Sequence, residues 1–264
     1  MSTYQNILTE LDHGVGIITL NRPDRHNAID GLLVAELIAA LAEMAADTNV
    51  RVLILSSVGS SFCAGADAKW LLHSALKSET DNLGDARAVA SLLRALAECP
   101  KPTVARIQGS VLGAGLGLVA ACDIAIATFD AEFALNETQR GLVPGVTAPY
   151  VMNAIGARHA RRYMLTAERF SASEAYRLGL VHEIVADTAA LDGALADLID
   201  ALLANGPAAL AECKSALAMM QNRPVSAELL DHMAQRSARV RASAEGREGL
   251  AALLENRLPN WVGK

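Results

Sequence analysis

The sequence predicts an α/β protein whose last third is all helix. Three features carry that expectation. Short β-branched runs alternate with runs at helical spacing up to about residue 185, and such alternation builds a largely parallel sheet layered with helices. Beyond that point only the helical spacing remains. Alanine is the commonest residue in the apolar 52% and supplies most of its excess, which suits closely packed helices.

Taken in order, VGIITLN (15–21) and VLILSS (52–57) are apolar, β-branched and bounded by turn residues, as strands are. Between them AIDGLLVAELIAALAEMAAD (28–47) has a helical period, with Asp30 as its N-cap. LKSETDNLGD (76–85) reads as a polar loop between two helical runs. PTVARIQGS starts a strand near Thr103, and CDIAIAT supplies another. Amphipathic helices follow in DTAALDGALADLIDALLANG, in PAALAECKSALAMMQN and through SAELLDHMAQRSARVRASAEGREGLAALLEN. The expected division is a core over 1–190 and a helical region over 191–264.

Composition narrows the function. A net charge of −6 offers no basic face for nucleic acid, so an anionic ligand needs local Arg or Lys. Cys63, Cys99, Cys122 and Cys213 never pair as C-x-x-C. They read as reduced, buried thiols of a cytoplasmic enzyme. His26, His73 and His159 have no partner at metal-ligand spacing, so no metal site is expected. The opening MSTYQNILTELD has no basic and apolar leader pattern, and no 18-residue apolar run lacks a charge or breaker. Neither a secretory signal nor a membrane span is expected.

Chemistry concentrates in three stretches. GAGLGLVAACDIAIA (113–127) looks like a dinucleotide loop, but its third glycine, Gly117, comes one position early and Leu118 stands in the required place. NRPDRHNAI (21–29) and SSFCAGADAKW (60–70) are strand-to-helix turns. In the glycine run and in CAGAD, small residues leave backbone N–H groups uncovered at what should be helix N-termini. Two such groups aimed at one point stabilise a thioester oxygen as it becomes an enolate. Taken singly, Arg22, Arg25 and Lys69 read as solvated charges, and Asp67 as a helix cap.

In this order, NRPDRHNAI, FCAGAD, GAGLGLVAACD, GLVPGV, RRYMLT and FSASEAYRLGLVHEIV resemble the crotonase superfamily, the enoyl-CoA hydratase/isomerase family, over nearly the whole chain. The resemblance implies a crotonase-like spiral of β-β-α turns with a C-terminal helical trimerisation region, assembled as a homotrimer or a dimer of trimers. It implies acyl-CoA thioester substrates and no separate cofactor, coenzyme A being part of the substrate. Ala66 and Ala114 match the oxyanion-hole amides. Arg25, Ala28, Ala64, Asp67, Ala68 and Lys69 match positions lining the coenzyme A site. Of the family's two hydratase glutamates, the first falls on Gly117 and is absent. The second matches Glu137, in LNETQRGLVPG. Flanked by Phe133, Ala134, Leu135 and Leu142, that carboxyl is expected to have a raised pKa. Glu132 matches no catalytic position. The texture is nearest to bacterial 3-methylglutaconyl-CoA hydratases of leucine degradation, which implies hydration of a branched unsaturated acyl-CoA. The alternatives are an enoyl-CoA isomerase and, third, a non-catalytic acyl-CoA-binding or RNA-binding protein. Gly117 is expected to leave room where the first carboxylate is missing.

Overall fold

The computed structural model describes residues 4–263. Met1 to Thr3, where the segment read as lacking a leader begins, and Lys264 lie outside the described residues. A hairpin opens the fold, β1 (Ile7–Asp12) and β2 (Val15–Leu20), followed by α1 (Gly31–Ala46). The Asp30 carboxylate accepts from the Leu33 amide, the N-cap that was expected. The chain then winds in turns of two strands and helix. β3 (Val52–Ser57) and β4 (Ser61–Cys63) lead into α2 (Ala68–Ala75) and α3 (Glu79–Ala97). β5 (Thr103–Ile107) and β6 (Ser110–Leu112) lead into α4 (Ala114–Ala121), and β7 (Ile124–Thr128) and β8 (Glu132–Ala134) into α5 (Ala148–Thr166). β9 (Phe170–Ser171), α6 (Ala172–Arg177) and β10 (Glu183–Val185) close the spiral. The helices α7 (Thr188–Leu203), α8 (Pro207–Met220), α9 (Ala227–Arg241) and α10 (Ala244–Leu254) follow.

Within each turn the first strand joins one sheet and the second joins another. The larger sheet runs β1-β2-β3-β5-β7-β10 and the smaller β4-β6-β8-β9. Both are parallel except at one edge, β1–β2 and β8–β9. This is the expected spiral of β-β-α turns. β3 is buried along its whole length. Leu53 and Leu55 face the main core with α1 and α3, while Val52 and Ile54 pack with Val15, Val104 and Leu195 of α7. A strand covered on both faces reads as an unbroken apolar run, which made β3 legible. α7 crosses residue 190 and lies against this sheet through Leu195.

Three sequence readings need correction. The polar stretch 76–85 is not a loop throughout, because α3 starts inside it. Ser78 accepts from the Asp81 amide, and the Asn82 amide group donates to the Ser74 and Ser78 carbonyls. Its polar residues are caps, not linkers. The strands β4, β6, β8 and β9 span two or three residues each, too short for any periodicity. The thiols are not uniformly buried either, since Cys63 and Cys99 are, Cys122 is half-buried and Cys213 is exposed. Among the described residues no single helix is long and apolar enough to cross a membrane.

Candidate active site

Backbone bonds zip the first two motif stretches together. The Ile29 amide donates to the Gly65 carbonyl at 2.7 Å, the Asp67 amide to the Ile29 carbonyl at 2.8 Å, and the Ala64 amide to the His26 carbonyl at 2.9 Å. Ile29 and Ala66 thereby form a parallel bridge. In such a bridge the bonds run through the residues flanking Ala66, so its own N–H points away from the ladder. The expectation that a helix N-terminus frees this amide is corrected, since Ala66 lies before Asp67, the N-cap of α2.

The third stretch abuts this loop. Gly65 has φ +86°, and a Cβ on it would lie 2.9 Å from the Leu112 carbonyl oxygen and 3.5 Å from the Gly113 Cα. Only glycine permits that backbone and that approach. Gly113, at φ 50° and ψ −120°, is the N-cap of α4, and Ala114 is the helix's first residue. The Ala114 amide is therefore one of the donors a helix start leaves unpaired. Among the described residues neither the Ala66 nor the Ala114 amide donates a hydrogen bond.

β8 delivers the carboxylate to the same place. It pairs with β6 in the register Leu112↔Ala134, and the Gly113 amide donates to the Ala134 carbonyl at 2.8 Å. Glu137 follows, and its Oε1 lies 3.1 Å from where a Gly113 Cβ would be. Its Oε2 is buried and makes no hydrogen bond among the described residues. Burial pushes the carboxyl above the usual Glu range, while its own backbone amide and the Arg140 guanidinium pull it partly back. Of the apolar residues that flank it in the chain, Phe133, Ala134 and Leu135 are buried, whereas Leu142 is exposed. Glu132 is exposed and paired with Arg169 at 2.8 Å, so it does not compete.

The titration can be checked. If the carboxylate form of Glu137 begins the reaction, kcat/KM falls at acid pH with a limb above the ordinary Glu value of about 4.3. Arg140→Gln removes a cause that lowers the pKa, so the limb moves to higher pH. A limb unmoved or shifted downward in the variant's pH profile contradicts the assignment.

The matched coenzyme A positions fall around the zipped loops. Arg25 is exposed and its Nη1 lies 3.1 Å from Asp67 Oδ2. Asp67 is buried, caps α2 through the Lys69 and Trp70 amides, and has its carboxyl held below the usual range despite burial. Ala28 is buried, Ala64 is half-buried, and Ala68 and Lys69 are exposed on the first turn of α2. Arg22 is no surface charge, which corrects the reading of it alone. It is buried, donates to the Ala28 carbonyl, and lies 2.8 Å from Asp30 and 3.7 Å from Asp67. Asn27 was missed. Fully buried at φ 55°, it accepts from the Arg22 amide and donates to the Val58 and Ser61 carbonyls. An Asn closing a Pro-containing turn is the signal that could have found it.

Gly117 also departs from expectation. A Cβ there would lie 3.0 Å from both Oγ1 and Cγ2 of Thr147, and 3.2 Å from Leu93 Cδ1. There is no room beside Gly117, because Thr147 fills it. His26 and His73 are exposed and His159 half-buried. Among the described residues no group of three or more His, Cys, Asp or Glu is placed to hold a metal ion.

Fold and site define the class: a crotonase-type enzyme of acyl-CoA thioesters. The family model described as enoyl-CoA hydratase/isomerase matches residues 10–264. The chain is similar to the crystal structure of an enoyl-CoA hydratase from Shewanella pealeana, with TM-score 0.95, 41% identity, and 97% and 96% of the two chains covered. It is 31% identical to 2,3-dehydroadipyl-CoA hydratase of Escherichia coli (strain K12), over 94% of this chain and 95% of that one. It is 29% identical to the peroxisomal Delta(3,5)-Delta(2,4)-dienoyl-CoA isomerase of Arabidopsis thaliana, over 98% and 97%. The chain belongs to the enoyl-CoA hydratase/isomerase family.

Proposed function

We propose that this enzyme adds water to, or removes it from, a branched unsaturated acyl-CoA such as 3-methylglutaconyl-CoA. The observation that supports this reading best is one buried, unpartnered carboxylate oxygen of Glu137 beside two free amides, with glycine at position 117. In the hydration direction, the Glu137 carboxylate takes a proton from water as the oxygen bonds to C3. The C2–C3 π electrons move toward the thioester carbonyl, and the Ala66 and Ala114 amides donate to the oxygen that becomes the enolate. Glu137 then returns the proton to C2. Atoms balance with no cofactor beyond the substrate's coenzyme A. Arg25, Ala28, Ala64, Asp67, Ala68 and Lys69 form the coenzyme A site in this reading. α9 buries none of its residues, and Leu230 on α9 and Leu253 and Leu254 at the end of α10 are exposed. That supports assembly as a trimer or dimer of trimers through the C-terminal helices, which light scattering checks.

A methyl group at C3 stabilises the positive charge that develops there, and a distal carboxylate anchors the chain. With one acid/base instead of two, such a substrate gains most. The expected kcat/KM for 3-methylglutaconyl-CoA exceeds that for crotonyl-CoA by at least about 10²-fold, or ~2.7 kcal/mol. Equal values in a screen with products identified by mass refute the substrate assignment. The second reading, an isomerase, is favoured by the lone acid/base, since moving one proton along a chain needs no water. Conversion of 3-enoyl to 2-enoyl thioesters without hydration would establish it.

A further inference from the structure

The position that holds a carboxylate in two-glutamate members of the family is occupied here by no acid, yet the space beside it is filled. Thr147 Oγ1 lies 3.0 Å from the point where a Gly117 Cβ would stand. Thr147 is 1% exposed and is the N-cap residue of α5. Its hydroxyl neither caps that helix nor takes another hydrogen-bond partner among the described residues. On the other side, Glu137 Oε2 is buried and makes no hydrogen bond among the described residues.

α4 relates the two groups. Gly113 and Gly117 are four residues apart, at its N-cap and in its second turn. Glu137 lies over the first glycine and Thr147 over the second. Four residues along a helix rise about 6 Å, a separation on the scale of two hydrogen bonds of roughly 2.8 Å through a shared water.

We propose that the Thr147 hydroxyl holds the water that Glu137 activates, standing in for the missing carboxylate. One hydrogen of the water is donated to Glu137 and the other to Thr147 Oγ1, so an oxygen lone pair is left to face C3. Glu137 removes its hydrogen as the C–O bond forms, and Thr147 exchanges no proton. A neutral hydroxyl also spares Glu137 a second negative charge, which would otherwise raise its pKa further.

The inference rests on the hydratase reading above, and the test separates the two. In the assembled enzyme, Thr147→Val keeps the shape and removes the hydroxyl. Hydration kcat is expected to fall about 10- to 100-fold with KM for the thioester nearly unchanged, and Thr147→Ser is expected to restore most of it. A purely structural role would not be rescued by serine or confined to kcat. If the valine variant does not fold, Thr147→Ala makes the same comparison. Wild-type hydration with an unimpaired valine variant, or equal losses in valine and serine variants, overturns the role of Thr147 alone. A wild-type enzyme that isomerises without hydrating overturns the hydratase reading and this role with it.

Discussion

Glu137→Gln is expected to lower kcat by about 10²- to 10⁴-fold while thioester binding persists. Glutamine keeps the shape and one acceptor oxygen but cannot carry a proton between water and C2. Stability is expected to move the opposite way. Burial raises the folded-state pKa of Glu137, so between the unfolded and folded values the native state binds more protons. Stability is therefore lost as pH rises through that window, and the loss is complete above the folded pKa. The neutral glutamine escapes it. At pH 8 the variant is expected to be more stable than the wild type, on the order of 1 kcal/mol for a buried polar group without a partner. The gain shrinks as pH falls to 4. Thermal unfolding at the two pH values, beside steady-state kinetics, reads both effects. Near-normal turnover would remove Glu137 from the mechanism, and a stability gain equal at both pH values would remove the burial argument.

Ala114→Pro is expected to cost about 10²- to 10³-fold in kcat, the effect of losing one oxyanion donor. The structure makes this a clean deletion. Ala114 is the first residue of α4, the one helical position where proline fits and where no intrahelical bond is lost. Gly113 before it has no Cβ to meet the ring. The fold should survive, so circular dichroism is expected to be unchanged while the rate collapses. Full activity in a folded variant means that the Ala114 amide does not hold the thioester oxygen.

Much of the candidate site was legible because the matched backbone amides lie at glycine-marked turns. FCAGAD and GAGLGL announce close backbone approach whatever the fold, and the structure shows the reason at Gly65, where any Cβ would strike the Leu112 carbonyl. Glu137 was legible through its match to the family's second glutamate, and its apolar flanks indicated the raised pKa. Arg22 was not, because charge type says nothing of burial until Asp30 and Asp67 are seen around it. Thr147 was invisible for a related reason. The role proposed for it rests on its contact with Gly117, thirty positions away in the chain, and no local pattern links a residue to the hole it fills across two helices.

The sequence by itself determined the alternation of strands and helices, the N-cap at Asp30, the strand β3 and the motif order that marks the family. These are local or periodic properties, and hydrophobic spacing and turn chemistry decide them before the chain folds. Tertiary structure alone decided the division into two sheets, because strands of two or three residues acquire their identity only from the neighbours they pair with. It alone also set Glu137 over Gly113 and Thr147 over Gly117. Packing distances between segments far apart in the chain depend on every layer between them, and side-chain volume at one position carries no information about what stands opposite.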